Sequence, residues 1–139
     1  MAGRAKTFQR TAYIGACPPK YMSAHTDSQT ILNMILENGG ATVARTSRKP
    51  VSFPSGFQVA YKGAEKIIGT ITPASISDYM DSHKQAIKEG KFFGFWINDG
   101  SLYADISTHI EDQNEAVVMG REHEQIALWN WATFEELKI

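Results

Sequence analysis

The densest group of side chains that could do chemistry lies between residues 105 and 124. Its members are Asp105, Ser107, His109, Glu111, Asp112, Glu115, Arg121, Glu122, His123 and Glu124. Strand alternation would put Asp105, Ser107 and His109 on one face with Tyr103, where a carboxylate can orient a histidine as a general base. The same residues also fit a solvated sheet face that runs into a helix N-terminus, where acidic side chains favour the helix dipole. We favour this second interpretation and predict no catalytic residue.

Metal and phosphate sites need spacings that this chain lacks. The candidate metal ligands are far apart in sequence: Cys17, His25, His83, His109 and His123. Zinc sites use closely spaced Cys/His pairs, and the Gly39-Gly40 pair has neither the lysine nor the helix start of a phosphate loop. His83 and His123 fall on apolar helix faces and are interpreted as hydrogen-bonded core residues. We expect no metal and no cofactor.

Residues 1–25 form a basic segment with interleaved aromatic side chains and no acidic residue. Pro18 and Pro19 favour an extended path, so we interpret the segment as an arm that binds another chain. The predicted contact residues combine arm positions with three later cations: Arg4, Phe8, Arg10, Tyr13, Ile14, Tyr21, Arg45, Arg48 and Lys49. Such residues can also contact phosphates and stack on bases. The net charge of −1 makes nucleic acid the less favoured partner.

Charge is divided unevenly along the chain. Residues 1–70 carry nine Lys/Arg and three Asp/Glu, a net charge of +6, whereas residues 71–139 carry five and twelve, a net charge of −7. Such polarity can steer a partner or stack copies of the chain head to tail. The two halves can also simply face each other within the fold, and this alternative stays open.

Hydrophobic periodicity in the first half predicts one helix followed by short strands. The helix is expected over residues 28–38, with Thr26, Asp27 and Ser28 as capping candidates and Gly39 at its end. A weak strand is expected at residues 42–45, followed by a proline-containing loop. Strands are expected at 56–61 and 66–71, joined by a turn at 62–65.

The second half has stronger signals. Thr72 and Pro73 begin a second helix, and the helical spacing continues through His83 and Ile87 until Gly90. Residues 92–97 and 102–107 predict a hairpin whose Asp99-Gly100 turn is of the primed type. A third helix is expected over 112–124. Residues 125–131 then form either a last strand or a continuation of that helix.

Part of the chain resembles small uncharacterised proteins, and terminal domains, of bacteriophages and bacterial mobile elements, including phage head-associated proteins. The resemblance lies in residues 39–42 (GGAT), 54–59 (PSGFQV), 94–96 (GFW), 100–107 (GSLYADIS), 115–116 (EA) and 120–129 (GREHEQIALW). It covers about two thirds of the chain and not the arm. It implies a phage origin and a strand at 125–131, and it supplies no activity and no catalytic residues.

The sequence therefore predicts an α+β protein with an extended arm at 1–25 and a single domain at 26–139. We expect an antiparallel sheet of four to six strands with helices on one face. The expected function is non-enzymatic binding of protein surfaces within a virion. Inhibition of a host enzyme or defence system and a small enzyme using the 105–123 cluster are the alternatives. We expect host cytoplasm or virion as the location, no membrane span or secretion signal, and other protein subunits, including copies of this chain, as partners.

Overall fold

The computed structural model describes residues 24–139 of the chain, which form three α-helices and seven β-strands. In chain order these are α1 (Ala24–Asn38), β1 (Gly40–Ala44), β2 (Phe57–Ala60), β3 (Lys66–Ile68), α2 (Pro73–Ser82), β4 (Phe92–Asn98), β5 (Ser101–Ile110), α3 (Gln113–Glu122), β6 (Ala127–Asn130) and β7 (Glu135–Lys138). The α+β class is confirmed. The sheet has one strand more than the upper end of the predicted range. The calls made for residues 1–23 lie outside the described residues.

All strands belong to one antiparallel sheet in the order β1-β4-β5-β2-β6-β7. The ten-residue strand β5 pairs with β4 along one side, and β2 and β3 share its other side. Residues 66–71 were expected to form a strand. Only Lys66–Ile68 do so, and they pair with β5 and not with the preceding strand β2.

One face of the sheet is covered by helices. The inward residues of β4 and β5 form opposed pairs, Phe93 with Ile106 and Phe95 with Ala104, and these join the core under α1 and α2. A second cluster, which includes Phe57, Val59 and Leu128, holds α3 against β2 and β6. The prediction of helices on one face is therefore confirmed for the described residues, and we call this side of the sheet the helix face.

The β4–β5 hairpin turns as the sequence predicts. Asp99 and Gly100 both adopt positive φ, 52° and 76°, between the paired residues Asn98 and Ser101. Two successive positive φ values define the primed turn whose twist matches that of the flanking strands. The predicted N-cap of α2 is also confirmed. The Thr72 hydroxyl accepts from the Ser75 amide at 3.1 Å, and the Ser75 hydroxyl accepts from the Thr72 amide at 3.0 Å.

The bounds of the first two helices differ from the prediction. Helix α1 begins at Ala24, four residues before residue 28, so Asp27 lies in its first turn and favours the helix dipole there. Helix α2 ends at Ser82 and not near Gly90. Ile87 has a φ of 45°, which no α-helix contains. The cause is a tertiary contact of Arg45, described below.

The end of α3 decides between the two alternatives for residues 125–131. Glu124 has a φ of 59°, the Gln125 amide donates to the Gly120 carbonyl at 2.8 Å, and the Glu124 amide donates to the Arg121 carbonyl at 3.1 Å. This is the Schellman arrangement that terminates helices. The chain then enters β6, so the predicted strand is confirmed.

Gly100→Val tests the hairpin turn. No atom lies within 4 Å of a Cβ placed on Gly100, so a side chain there meets no steric obstacle and acts through the backbone alone. Because a β-branched residue is strained at positive φ, we expect Gly100→Val to lower the free energy of unfolding by about 1–3 kcal/mol. Gly100→Asn is the control, since asparagine tolerates this conformation. Equal urea midpoints for the two variants would contradict the turn assignment.

Candidate functional site: a basic pocket and an acidic edge

The Arg45 side chain organises one corner of the sheet. It follows β1, and its two terminal nitrogens donate to five backbone carbonyls at distances of 2.6 to 3.2 Å. The accepting carbonyls belong to His83, Lys84, Ala86, Ile87 and Gly90. These carbonyls follow the last turn of α2. If the helix continued, the amides of later residues would donate to them. The guanidinium therefore replaces two turns of helix by a compact loop.

The environment of Arg45 keeps its guanidinium in place. Its charged carbon lies 5.4 Å from the centre of the Phe93 ring, a favourable cation–π distance. Partial burial lowers the pKa of Arg45 from its ordinary value, and the neighbouring Tyr79 opposes this change. Arginine stays protonated at neutral pH despite such a shift. The guanidinium is thus a permanent positive charge whose hydrogen bonds go to main-chain carbonyls of the same chain.

Beside Arg45 lies a pocket of about 420 Å³ with a basic lining. Its polar lining residues are Arg45, Thr46, Lys84, Gln85, Lys88 and Lys91, and the Phe92 and Phe93 rings form part of the wall. The three lysines are exposed. Because its lysines are exposed and its arginine is held, the pocket can attract carboxylates or phosphates by charge.

Of the three predicted cations of the described range, only Arg45 lines this pocket. Arg48 donates to the Asp81 carboxylate at 2.7 Å, and Lys49 is exposed. Lys84, Lys88 and Lys91 were not predicted as contact residues. Lys84 and Lys88 were assigned to the second helix, and Lys91 follows Gly90, where that helix was expected to end. The predicted contacts Arg4, Phe8, Arg10, Tyr13, Ile14 and Tyr21 lie outside the described residues.

The opposite edge of the sheet is acidic. Strand β7 ends the strand order and carries Glu135 and Glu136, which line a groove of about 340 Å³ with Phe134 and Lys138. Helix α3 packs over the neighbouring strands β2 and β6 and adds Glu115 and Glu122 to this side. With six strands in the order and about 4.8 Å between neighbours, the two edges lie roughly 24 Å apart.

The expectation of a solvated face around residue 105 is wrong. Strand alternation does place Tyr103, Asp105, Ser107 and His109 together, on the side of the sheet away from the helices. However, Asp105 and Ser107 are 0% exposed. We call this side the second face. Its members include Thr42, Gln58, Gly94, Trp96, Tyr103, Asp105, Ser107, His109 and Trp129.

A buried hydrogen-bond chain crosses part of the second face. The Trp131 indole donates to the Gln58 side-chain oxygen at 2.9 Å, and the Gln58 amide donates to the Ser107 hydroxyl at 2.9 Å. This chain joins β5, β2 and the end of β6. Since each member has a partner and lies away from solvent, Ser107 acts here as a structural residue.

His109 is also used within the fold. Its Nε2 lies 2.7 Å from the Ser55 carbonyl, so this nitrogen donates a hydrogen. The Phe53 ring stacks on the imidazole with centroids 3.9 Å apart, and Ser55 donates to the Glu111 carboxylate at 2.7 Å. A histidine whose Nε2 donates to a carbonyl cannot use that nitrogen as a base. The arrangement favours a structural role for the 105–111 part of the cluster.

The two helix-end histidines have partners as predicted, at helix C-caps. His83 stacks on Tyr79 at 4.1 Å and its Nδ1 contacts the Tyr79 carbonyl at 2.9 Å. His123 accepts from the Lys62 amide at 3.3 Å and packs edge-on against Tyr61. Among the described side chains of residues 27–139, no three ligand-type groups converge on a metal position. No helix in that range has the length and apolar character to cross a membrane.

Comparisons of the chain with family models, with curated proteins and with solved structures find no match. The resemblance to phage head-associated proteins therefore stays a prediction. The function has to be argued from the charges and contacts of the site itself.

Arg45→Lys tests the role of the guanidinium. A lysine ammonium has three donors and no planar fork, so it cannot satisfy five carbonyls at once. We expect a loss of about 2–3 kcal/mol in the free energy of unfolding, measured by urea denaturation. Arg48→Lys is the matched control, because Arg48 pairs with one exposed carboxylate and such pairs contribute about 1 kcal/mol or less. Similar losses in both variants would show that the carbonyl contacts are dispensable.

Proposed function

We propose that this protein is a non-enzymatic assembly subunit that binds acidic protein surfaces through its basic pocket and joins copies of itself head to tail. The observation that carries the proposal is the placement of opposite charges on opposite edges of one sheet. The basic pocket lies beside β1, and the acidic groove lies at β7.

The size of the charge separation supports association between edges. Residues 44–49 and 81–91, which surround the basic pocket, contain six Lys/Arg and two Asp/Glu, a net charge of +4. Residues 111–139, which build α3, β6 and β7, contain seven Asp/Glu and two Lys/Arg, a net charge of −5. Complementary fields of this kind speed encounter and select orientation.

The edges also favour contact through side chains. The chain returns along the outer side of β1, where the Val51 amide donates to the Thr42 carbonyl and the Ala44 amide donates to the Lys49 carbonyl, at 2.8 and 2.9 Å. This pairing occupies main-chain groups that another strand would need. A second copy of the chain that approaches β1 therefore contacts the lysine side chains of the pocket and not the main chain of the strand. Because the two contacting surfaces differ, the interface is heterologous and can continue from copy to copy.

The resemblance to phage head-associated proteins provides a setting for such assembly, namely a virion. The chemistry of the polar cluster favours binding over catalysis, since His109 and Ser107 are held in structural hydrogen bonds. The proposed partners are thus protein surfaces, foremost a second copy of this chain.

Self-association should depend on salt and on Lys88. We expect the average mass in sedimentation velocity to rise with protein concentration at about 0.05 M salt and to fall at about 0.5 M salt, where surface charges are screened. Lys88→Glu should weaken association about fivefold or more. Lys66→Glu is the matched control, because Lys66 is exposed on β3 and lies outside both charged edges. A wild-type protein that stays monomeric throughout would overturn the proposal.

Mixing two edge variants tests the head-to-tail geometry. Lys84→Gln/Lys88→Gln retains only the acidic edge, and Glu135→Gln/Glu136→Gln retains only the basic edge. Each variant alone should be monomeric, whereas an equimolar mixture should form one-to-one dimers and nothing larger. Long oligomers of either variant alone, or a mixture without dimers, would contradict contact between the two edges.

A further inference from the structure

The charged side chains that line the basic pocket all have the same sign. Four cations are among its lining residues, namely Arg45, Lys84, Lys88 and Lys91. No carboxylate belongs to the described lining. Asp81, three residues before Lys84, lies outside the pocket and already accepts from Arg48 at 2.7 Å. The described lining therefore leaves positive charge without a counter-charge in the pocket, and this charge attracts a ligand with several negative groups.

The pocket has the size of a small-molecule site. Its volume of about 420 Å³ falls within the range of about 300–1,000 Å³ that is typical of ligand pockets. The wall is not purely polar, because Phe92 and Phe93 contribute to it, and Phe92 is partly exposed. Such a site can hold the charged part of a ligand at the lysines and a flat apolar part against the Phe92 ring.

The main chain that carries the three lysines is held in one position. The Arg45 guanidinium binds five carbonyls of the loop after α2. At the end of this loop the Lys91 amide donates to the Ser107 carbonyl, and the Lys91 carbonyl accepts from the Arg45 amide, both at 3.0 Å. Gly90 packs so closely on Ile106 that a Cβ there would overlap the isoleucine side chain. Ligand binding therefore requires little ordering of the backbone, and preorganised sites bind more tightly for this reason.

The arginine and the lysines of the pocket have different tasks. Arg45 positions the loop, and its terminal nitrogens already donate to main-chain carbonyls. Lys84, Lys88 and Lys91 are exposed, and none of them forms an ion pair with a described residue. A lysine ammonium is a compact charge on a flexible stem. The three ammonium groups can therefore converge on one anion from the rim of the pocket.

Phosphate groups suit this set of cations better than carboxylates do. A phosphate ester carries about 1.5 to 2 negative charges near neutral pH and offers three acceptor oxygens, whereas a carboxylate carries a single charge. Two linked phosphates therefore bring more negative charge into the same volume than two carboxylates. Lysine commonly binds phosphate as a point charge, so a small molecule with a phosphate chain is the ligand class that matches the pocket.

We propose that the basic pocket binds the phosphate chain of a small molecule, and that the bound phosphates compete with the acidic edge of the next copy. The phosphates contact Lys84, Lys88 and Lys91, and a ring carried by the ligand lies against Phe92. The competition rests on the proposed function, because it requires the acidic groove at β7 to approach the same pocket. The binding step does not, because it depends on the pocket of one copy alone.

Calorimetry with inorganic pyrophosphate tests the binding step. The protein is the Glu135→Gln/Glu136→Gln variant, which keeps the basic pocket and should not self-associate, so that the heat of binding is measured without a heat of dissociation. We expect one saturable site per chain, with an affinity that falls as the salt concentration rises. Absence of saturable binding at low salt would overturn the proposal.

Lys88→Gln in the same variant locates the site. It removes one cation of the pocket, so we expect the affinity for pyrophosphate to fall about fivefold or more. Lys49→Gln is the matched control, because Lys49 is equally exposed and follows β1 but does not line the pocket. It should leave the affinity nearly unchanged, and urea midpoints check that both proteins are folded. Equal losses in the two proteins would show a response to overall charge and would overturn the assignment to the pocket.

Two further ligands define the chemistry that the pocket recognises. Succinate has two carboxylates and less charge than pyrophosphate, so it should bind about fivefold more weakly or less. Equal binding of succinate would overturn the assignment to phosphate. ADP carries two linked phosphates and an aromatic base. Tighter binding of ADP than of pyrophosphate, lost in Phe92→Leu, would support a nucleotide as the source of the phosphates, and equal binding would support the phosphate chain alone.

Sedimentation velocity of the wild-type protein tests the competition. At about 0.05 M salt, added pyrophosphate should lower the average mass more than sodium chloride of the same ionic strength, because chloride only screens the charges. A mass that responds equally to both salts, although pyrophosphate binds in the calorimeter, would overturn the competition and leave the proposed function standing. A wild-type protein that is monomeric without pyrophosphate would overturn the proposed function and the competition together, whereas the calorimetry decides the binding step separately.

Discussion

Strand β5 buries side chains on both of its faces, and the rest of the structure has to cover both. On one side Leu102, Ala104 and Ile106 meet the helices, and on the other Asp105 and Ser107 are equally inaccessible to solvent. A sheet in this position needs two layers of cover. Within residues 24–139, the helices supply the layer on one side, and Phe53 and Phe134 pack against rings on the other.

Arg45 connects this sheet to the charged surface. By binding the carbonyls that follow α2, it converts a would-be helical segment into a loop at the corner of β1 and β4. That loop displays Lys84, Lys88 and Lys91, whereas the acidic side chains gather at the far edge around β7. The separation of charge in space is therefore made by the fold, because the three pocket lysines come from the acidic half of the sequence and join Arg45 of the basic half.

Local signals determined much of the secondary structure. The Asp99-Gly100 turn needs positive φ at two positions, and few other dipeptides adopt it readily. The Thr72 cap with Pro73 behind it defines the start of α2, because a hydroxyl and a missing amide suit a helix N-terminus. Alternation in β5 correctly grouped Tyr103 with Asp105, since the side-chain period of a strand is independent of what covers it.

Contacts between distant residues decided the remainder. The end of α2 depends on Arg45, which lies 38 residues before His83 in the sequence, and no local pattern carries that information. The basic pocket was missed for the same reason, because Lys84 and Lys88 were assigned to a helix and Lys91 comes close to them only through the loop that Arg45 holds. The burial of Asp105 could not be predicted from the sequence either, because a charged side chain is expected at the surface unless residues distant in sequence cover it. The sequence determined the period and the turns of each element, while the tertiary structure decided what each face meets, because burial depends on residues brought together from across the chain.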